Sequence, residues 1–185
     1  MARVSARERL LSAAAKRFYA DGVAATGIDA ITAEAGVAKM SLYHNFASKA
    51  DLVLAYIDAR HAEWLALHRV RLAAASTRSE RVLAVFDAYI DHAADAYPHG
   101  FRGCGLLNAA AEFPAGDPAR EAVRAHKAEV ERLLAEYLAD LPDAAELAGH
   151  LSFLLEGAVA RAGLDGDPAR LRDARRIAAR LLADR

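Results

Sequence analysis

Only one cysteine, Cys104, occurs in the 185 residues, so the chain can form neither an internal disulfide nor a multi-thiolate metal site. β-branched residues are few and never alternate over a strand's length, which removes the usual source of a sheet. No run of about 18 uncharged apolar residues is present to cross a bilayer. The opening residues 1–9 lack the apolar segment of a secretory signal. Together with the lone thiol, these absences lead us to expect a reducing cytoplasm and no membrane association. Enzyme signatures are missing as well: there is no HExxH, nucleophile elbow, phosphate loop or cysteine cluster, and no two histidines stand four apart. His61 and His68 would lie about 10.5 Å apart along a helix axis, too far to share a metal unaided. His92 and His99 fare no better. We therefore expect no catalytic residue, no metal and no cofactor.

Alanine, leucine, arginine and glutamate dominate, residues that lose little freedom in a helix. Helix starts are legible. Ser5 and Glu8 form a capping box, with Leu10, Leu11, Ala14, Ala15 and Phe18 following on one face. Gly22 ends that helix. Thr26 and Asp29 have the same spacing before a short helix with Ile28, Ile31 and Ala35 inward, stopped by Gly36. A third short helix covers Lys39 to Asn45. Ser48 and Asp51 open a long helix carrying Leu52, Ala55, Tyr56, Ala59, Ala62 and Leu65. Another begins around Ser79 or Glu80 and ends at the breaker Tyr97-Pro98-His99-Gly100. A short helix runs from about Cys104 to Phe113. Asp117-Pro118, Asp143 with Glu146, and Asp167-Pro168 open the last three helices. The expected fold is all-α, about nine helices: a three-helix head over residues 1–47 and a helical body over 48–185.

The overall charge of −1 conceals a difference between these parts. Residues 1–50 hold seven Lys/Arg against four acids, a net +3, and the remainder carries −4. The segment Thr26 to Lys49 gives the positive head a purpose. Two short helices meet at Gly36, where glycine accepts a left-handed backbone without steric cost, as a helix-turn-helix requires. Ile31, Val37, Leu42 and Phe46 are spaced to pack inward. Lys39, Met40, Ser41, Tyr43 and His44 are left for the outer face, a mix suited to phosphates and base edges. Thr26, the backbone at Gly27, and Lys49 sit at the two ends, where hydroxyl, N–H and ammonium groups can hold the DNA backbone.

The stretch TGIDAITAEAGVAKMSLYHNF followed by SKADL, behind an amphipathic helix, resembles the TetR family of bacterial regulators. The resemblance covers the first quarter of the chain. It implies phosphate contacts by Thr26, Tyr43 and Lys49, and a base-facing set of Lys39, Met40, Ser41 and His44. Met40 is bulkier than the small residue often found there. The resemblance also implies a homodimer through the last two helices, near 143–161 and 167–183, that places two recognition helices on a palindromic operator in double-stranded DNA. It further implies release by a small-molecule effector held among the middle helices. Candidate effector contacts are Trp64, His68, Phe86, Tyr89, Ile90, Phe101, Cys104, Leu107, Asn108, Glu112 and Phe153.

Two of these invite chemistry. Asn108 and Glu112 share an otherwise apolar helix face, where a buried carboxylate would need a ligand or a partner such as Arg102, His126 or Arg161. Cys104 at a helix N-terminus would have a raised thiolate fraction, although a free cysteine is also an ordinary small apolar side chain. A purely helical interaction protein would explain the Ala/Leu-rich body but not the Thr26–Lys49 unit.

Overall fold

The computed structural model describes residues 4–94 and 100–183, and among these the chain is helical throughout, without a strand. The helices are α1 (Ala6–Asp21), α2 (Ile28–Ala35), α3 (Lys39–Asn45), α4 (Lys49–Leu72), α5 (Arg78–Ala93), α6 (Gly105–Ala110), α7 (Pro118–Tyr137), α8 (Ala144–Asp165) and α9 (Ala169–Ala183). Tyr97, Pro98 and His99 of the expected breaker lie outside the described residues.

Local side-chain chemistry sets most of these starts. Ser5 Oγ accepts the Glu8 N–H at 3.2 Å, and the Glu8 carboxylate accepts the Ser5 N–H at 2.8 Å. Ser48 Oγ accepts from Asp51 N at 3.1 Å, while Asp51 takes the Ala47 N–H. Asp117 and Asp167 each accept an N–H two residues on, from Ala119 at 2.8 Å and Ala169 at 2.6 Å. α5 begins at Arg78, slightly before the expected Ser79 or Glu80, because Thr77 and Glu80 form a reciprocal capping box.

Two expected caps do not form. The N-cap of α2 is Gly27; Thr26 stands one residue earlier, and its hydroxyl donates back to Gly22 O at 2.6 Å. Asp143 precedes α8 with φ −110° and ψ 26°, away from the extended geometry that aims a capping side chain at the helix, and it makes no such bond.

The described residues pack as two compact units. One comprises the chain up to His61 together with Gly105–Val123; the other holds the described part of 62–96, Gly100–Cys104 and residues from Arg124 onward. The first unit thus extends past the expected boundary at 47/48. Leu52, Val53, Tyr56 and Ile57 at the start of α4 are buried, and the Tyr56 ring meets Phe18 of α1 edge-on at 5.4 Å. α6 also lies against α1.

In the second unit α5, α8 and α9 enclose an apolar core that includes Trp64, Phe86, Leu134, Leu151, Leu155 and Leu182. Arg175 of α9 grips Asp87 of α5 through two bonds of 2.6 and 3.0 Å. The loop before α6 runs directly over α8: a Cβ at Gly163 would lie 2.5 Å from Gly103 N.

Candidate nucleic-acid interface

α3 has seven residues, too few to persist alone in water, so its neighbours must hold it. Leu42 is fully buried and Phe46 nearly so, and the Arg7 guanidinium sits 5.2 Å over the Phe46 ring. The turn between α2 and α3 is closed by Gly36 at φ 61°, ψ 41°, whose N–H donates to Thr32 O and Ala33 O. α1 braces the pair. Arg9 Nη1 donates to Gly36 O at 3.2 Å, and Arg17 bonds Glu34 at 3.0 Å.

This bracing leaves Lys39, Met40, Tyr43 and His44 exposed along α3, with Ser41 half-buried. Met40 is 64% exposed, a high value for an apolar side chain with no solvent role of its own. The Lys39 ammonium pairs with the Asp29 carboxylate of α2 at 2.8 Å. That hydrogen bond and the opposite charge raise the Lys39 pKa, keeping it cationic. Because both partners are exposed, the pair is cheap to rearrange.

At the ends of the unit Thr26 departs from expectation. Thr26 is 2% exposed, and its hydroxyl donates to Gly22 O at 2.6 Å, with Arg17 O 3.3 Å away. It fastens the α1–α2 turn instead of offering a free hydroxyl. Lys49 is half-buried and donates to Val23 O at 2.6 Å. Gly27 is exposed, and no side chain caps the N-terminus of α2 behind it.

The residues expected around an effector are divided between the two units. Trp64, His68, Phe86 and Tyr89 are buried in the second unit, with Ile90, Phe101 and Cys104 partly buried against the same core. Leu107, Asn108 and Glu112 belong to the first unit and are exposed. Phe153 is 74% exposed on α8 and lines no interior. Glu112 corrects the expectation of a buried carboxylate needing a ligand, Arg102, His126 or Arg161. Its partners are the backbone N–H groups of Val23 at 2.8 Å and Ala24 at 2.6 Å.

Around Trp64 the second unit holds a polar group of which the sequence reading named Trp64, His68, Tyr89, Cys104 and His126 but missed Lys127 and Glu156. His68 stacks on the indole at 5.2 Å with 3° between planes, and His126 meets it edge-on at 5.6 Å. Burial pushes the His68 imidazole pKa down, so it is neutral near pH 7. Lys127 Nζ donates to Tyr89 Oη at 3.2 Å and pairs with Glu156 at 2.7 Å. Burial opposes the Lys127 charge, but Tyr89, Cys104 and Glu156 outweigh it and raise the pKa. Trp64 Nε1 and Glu156 Oε2 are both buried with no hydrogen-bond partner among the described residues. The signal for Lys127 was its place on α7 beside the buried Val123, His126, Val130 and Leu134.

A helical chain led by a braced helix-turn-helix has the build of a transcription regulator. Residues 10–56 match the family model for bacterial regulatory proteins of the tetR family, and residues 79–178 match that for the tetracyclin repressor-like C-terminal domain. The crystal structure of SCO4454, a TetR-family transcriptional regulator from Streptomyces coelicolor, is 35% identical with a TM-score of 0.84, covering 95% of this chain and 92% of that one. The regulatory protein TetR from Rhodobacter sphaeroides is 28% identical with a TM-score of 0.79, covering 95% and 97% of the two chains. The HTH-type transcriptional activator FasR of Mycolicibacterium smegmatis is 39% identical over 97 residues, which are 49% of this chain and 43% of that protein. The chain thus matches less than half the length of that curated relative. It belongs to the TetR family of bacterial regulatory proteins, a family of transcriptional regulators and not of enzymes. No helix among the described residues is long and apolar enough to cross a membrane.

Proposed function

We propose that this chain binds a palindromic operator in double-stranded DNA as a cytoplasmic homodimer, represses by occupancy, and is released by a small-molecule effector. The observation that carries the reading is the outer face of α3, where Lys39, Met40, Tyr43 and His44 stand exposed on a helix whose other side is locked to α1. Lys39, Met40, Ser41 and His44 are assigned to base edges. Tyr43, Lys49 and the uncapped N–H groups behind Gly27 are assigned to phosphates.

Exposed apolar side chains support the dimer. Phe153 and Leu164 of α8 and Ile177 and Leu181 of α9 are exposed. Gly149 and Gly157 fall on the same α8 face at helical spacing with open space before them. Large apolar side chains clustered on the last two helices are what an isologous interface buries.

For the effector, the unpartnered donor at Trp64 Nε1 and acceptor at Glu156 Oε2 favour the second unit. A buried polar atom without a partner is costly, and a small, largely apolar molecule carrying an acceptor for the indole N–H or a donor for the carboxylate would relieve that cost. It must bind the DNA-free conformation preferentially to release the operator. FasR is named an activator; on this proposal, repression follows where the operator overlaps a promoter.

The test is selection of genomic fragments by the full-length protein, followed by a gel mobility shift at rising salt. The expected result is a retarded band whose affinity falls steeply with salt, as phosphate contacts require. Failure to retain any duplex would overturn the reading.

A further inference from the structure

The α1–α2 turn lies at the edge of the DNA-reading head, yet a residue far downstream grips it. Glu112, just beyond α6, directs both carboxylate oxygens at successive backbone N–H groups: Oε1 accepts from Val23 at 2.8 Å and Oε2 from Ala24 at 2.6 Å. Two adjacent N–H groups on one carboxylate form a small anion-binding concavity, and charge-assisted bonds of this kind are about twice as strong as neutral ones. The carbonyl of the same Val23 accepts from Lys49 Nζ at 2.6 Å. Val23 is therefore held by an anion at its N–H and a cation at its carbonyl.

The turn is built to admit the carboxylate. Gly22 has φ 90°, and a Cβ there would stand 3.0 Å from Glu112 Oε1. The path of residues 22–27 sets where α2 begins, and hence where its uncapped N-terminus and the following recognition helix point.

We propose that Glu112 is a positioning residue for DNA recognition: it fixes the α1–α2 turn so that α2 and α3 meet the operator in register. The inference rests on the proposed DNA reading. Glu112 touches no DNA in this account; it acts through the backbone of Val23 and Ala24.

The experiment uses full-length protein and a duplex that wild type selects from a random library, with a scrambled duplex of equal length as the non-specific probe. In Glu112→Gln, one oxygen becomes an NH2 group that faces a backbone N–H, donor against donor. Affinity for the selected duplex is expected to fall about tenfold and that for the scrambled duplex by at most about twofold, because phosphate contacts tolerate a shift of register that base contacts do not. Binding of the selected duplex within about twofold of wild type would overturn the proposal. So would an equal loss on both duplexes, which a mere loss of folded protein would produce. Hydrogen exchange of wild type keeps the idea testable if the variant misfolds: the Val23 and Ala24 amides are expected to be protected despite lying in a turn, and free exchange would overturn the tether. If wild type selects no duplex, the DNA reading fails together with this inference. If wild type selects one and Glu112→Gln binds it normally, the tether alone fails.

Discussion

Substituting Gly163 by alanine sets two effects of known size against each other. Alanine in the interior of α8 gains up to about 1 kcal/mol of helix propensity over glycine. Its Cβ, however, would stand 2.5 Å from Gly103 N and 2.7 Å from both Arg102 C and Gly103 Cα. Ordinary contacts between such atoms lie near 3.5–4 Å, so a gap of about 1 Å must open. All three neighbours are backbone, and no rotamer change relieves them. The approach is close at a second point as well: Gly103 is at φ 82°, and its own Cβ position is 3.3 Å from Val159 O of the same helix. Overpacking of this kind costs about 1–3 kcal/mol, which outweighs the propensity gain in most of that range. With the full propensity gain subtracted from a mid-range cost of about 2 kcal/mol, the expected net loss is about 1 kcal/mol, or about 2–4 °C in Tm for a chain of this size. Thermal unfolding by circular dichroism at one fixed protein concentration measures it, since the Tm of the proposed dimer would depend on concentration. A Tm equal to or above wild type would refute the close approach of the 101–104 loop to α8. The same loop carries Phe101 and Cys104, so the substitution is also expected to weaken any effector response.

Other outcomes follow from the same geometry. The folded His68 is neutral while an unfolded histidine takes up a proton as pH falls through about 6.5, so the unfolded state binds more protons there. Stability should be level above about pH 6.5 and fall below it by at most about 1.4 kcal/mol per unit; urea unfolding at several pH values would show a flatter profile for His68→Gln, and identical profiles would contradict the buried neutral imidazole. Lys127→Met leaves the Glu156 carboxylate without its cation. As both side chains keep some solvent contact, the loss should be about 1–3 kcal/mol by urea unfolding, partly recovered by adding Glu156→Gln; no loss would show the pair to be idle. Phe153→Arg should convert a dimer into a monomer on size-exclusion chromatography with light scattering, and an unchanged dimer would move the interface off this face.

What the sequence disclosed was chiefly what local chemistry decides. Ser5 with Glu8 and Ser48 with Asp51 cap helices because donor and acceptor lie within one turn, and Gly36 closes the helix-turn-helix for a reason visible in one residue. The box at Thr77 and Glu80 has the same spacing and was equally open to reading. Thr26 shows the limit: its spacing to Asp29 suggests a cap, but the carbonyl of Gly22, left free at the end of α1, takes the hydroxyl instead. Glu112 lies further out of reach, since its partner Val23 is 89 positions away and helix periodicity says nothing about that meeting. Phe153 fails for a different reason. An apolar helix face can be read from spacing, but whether it turns toward its own core or toward solvent depends on the packing of α8 with α9.

The central claim, that the outer face of α3 reads base sequence, is tested most directly by measuring wild type, Lys39→Ala and Tyr43→Ala on the selected operator and a panel of its single-base-pair variants. Lys39→Ala is expected to lose about 1–3 kcal/mol of discrimination at one symmetric pair of positions. Tyr43→Ala should weaken binding to every duplex alike, as loss of a phosphate contact does. Uniform loss from both substitutions, with base preference unchanged throughout, would contradict base reading by this helix.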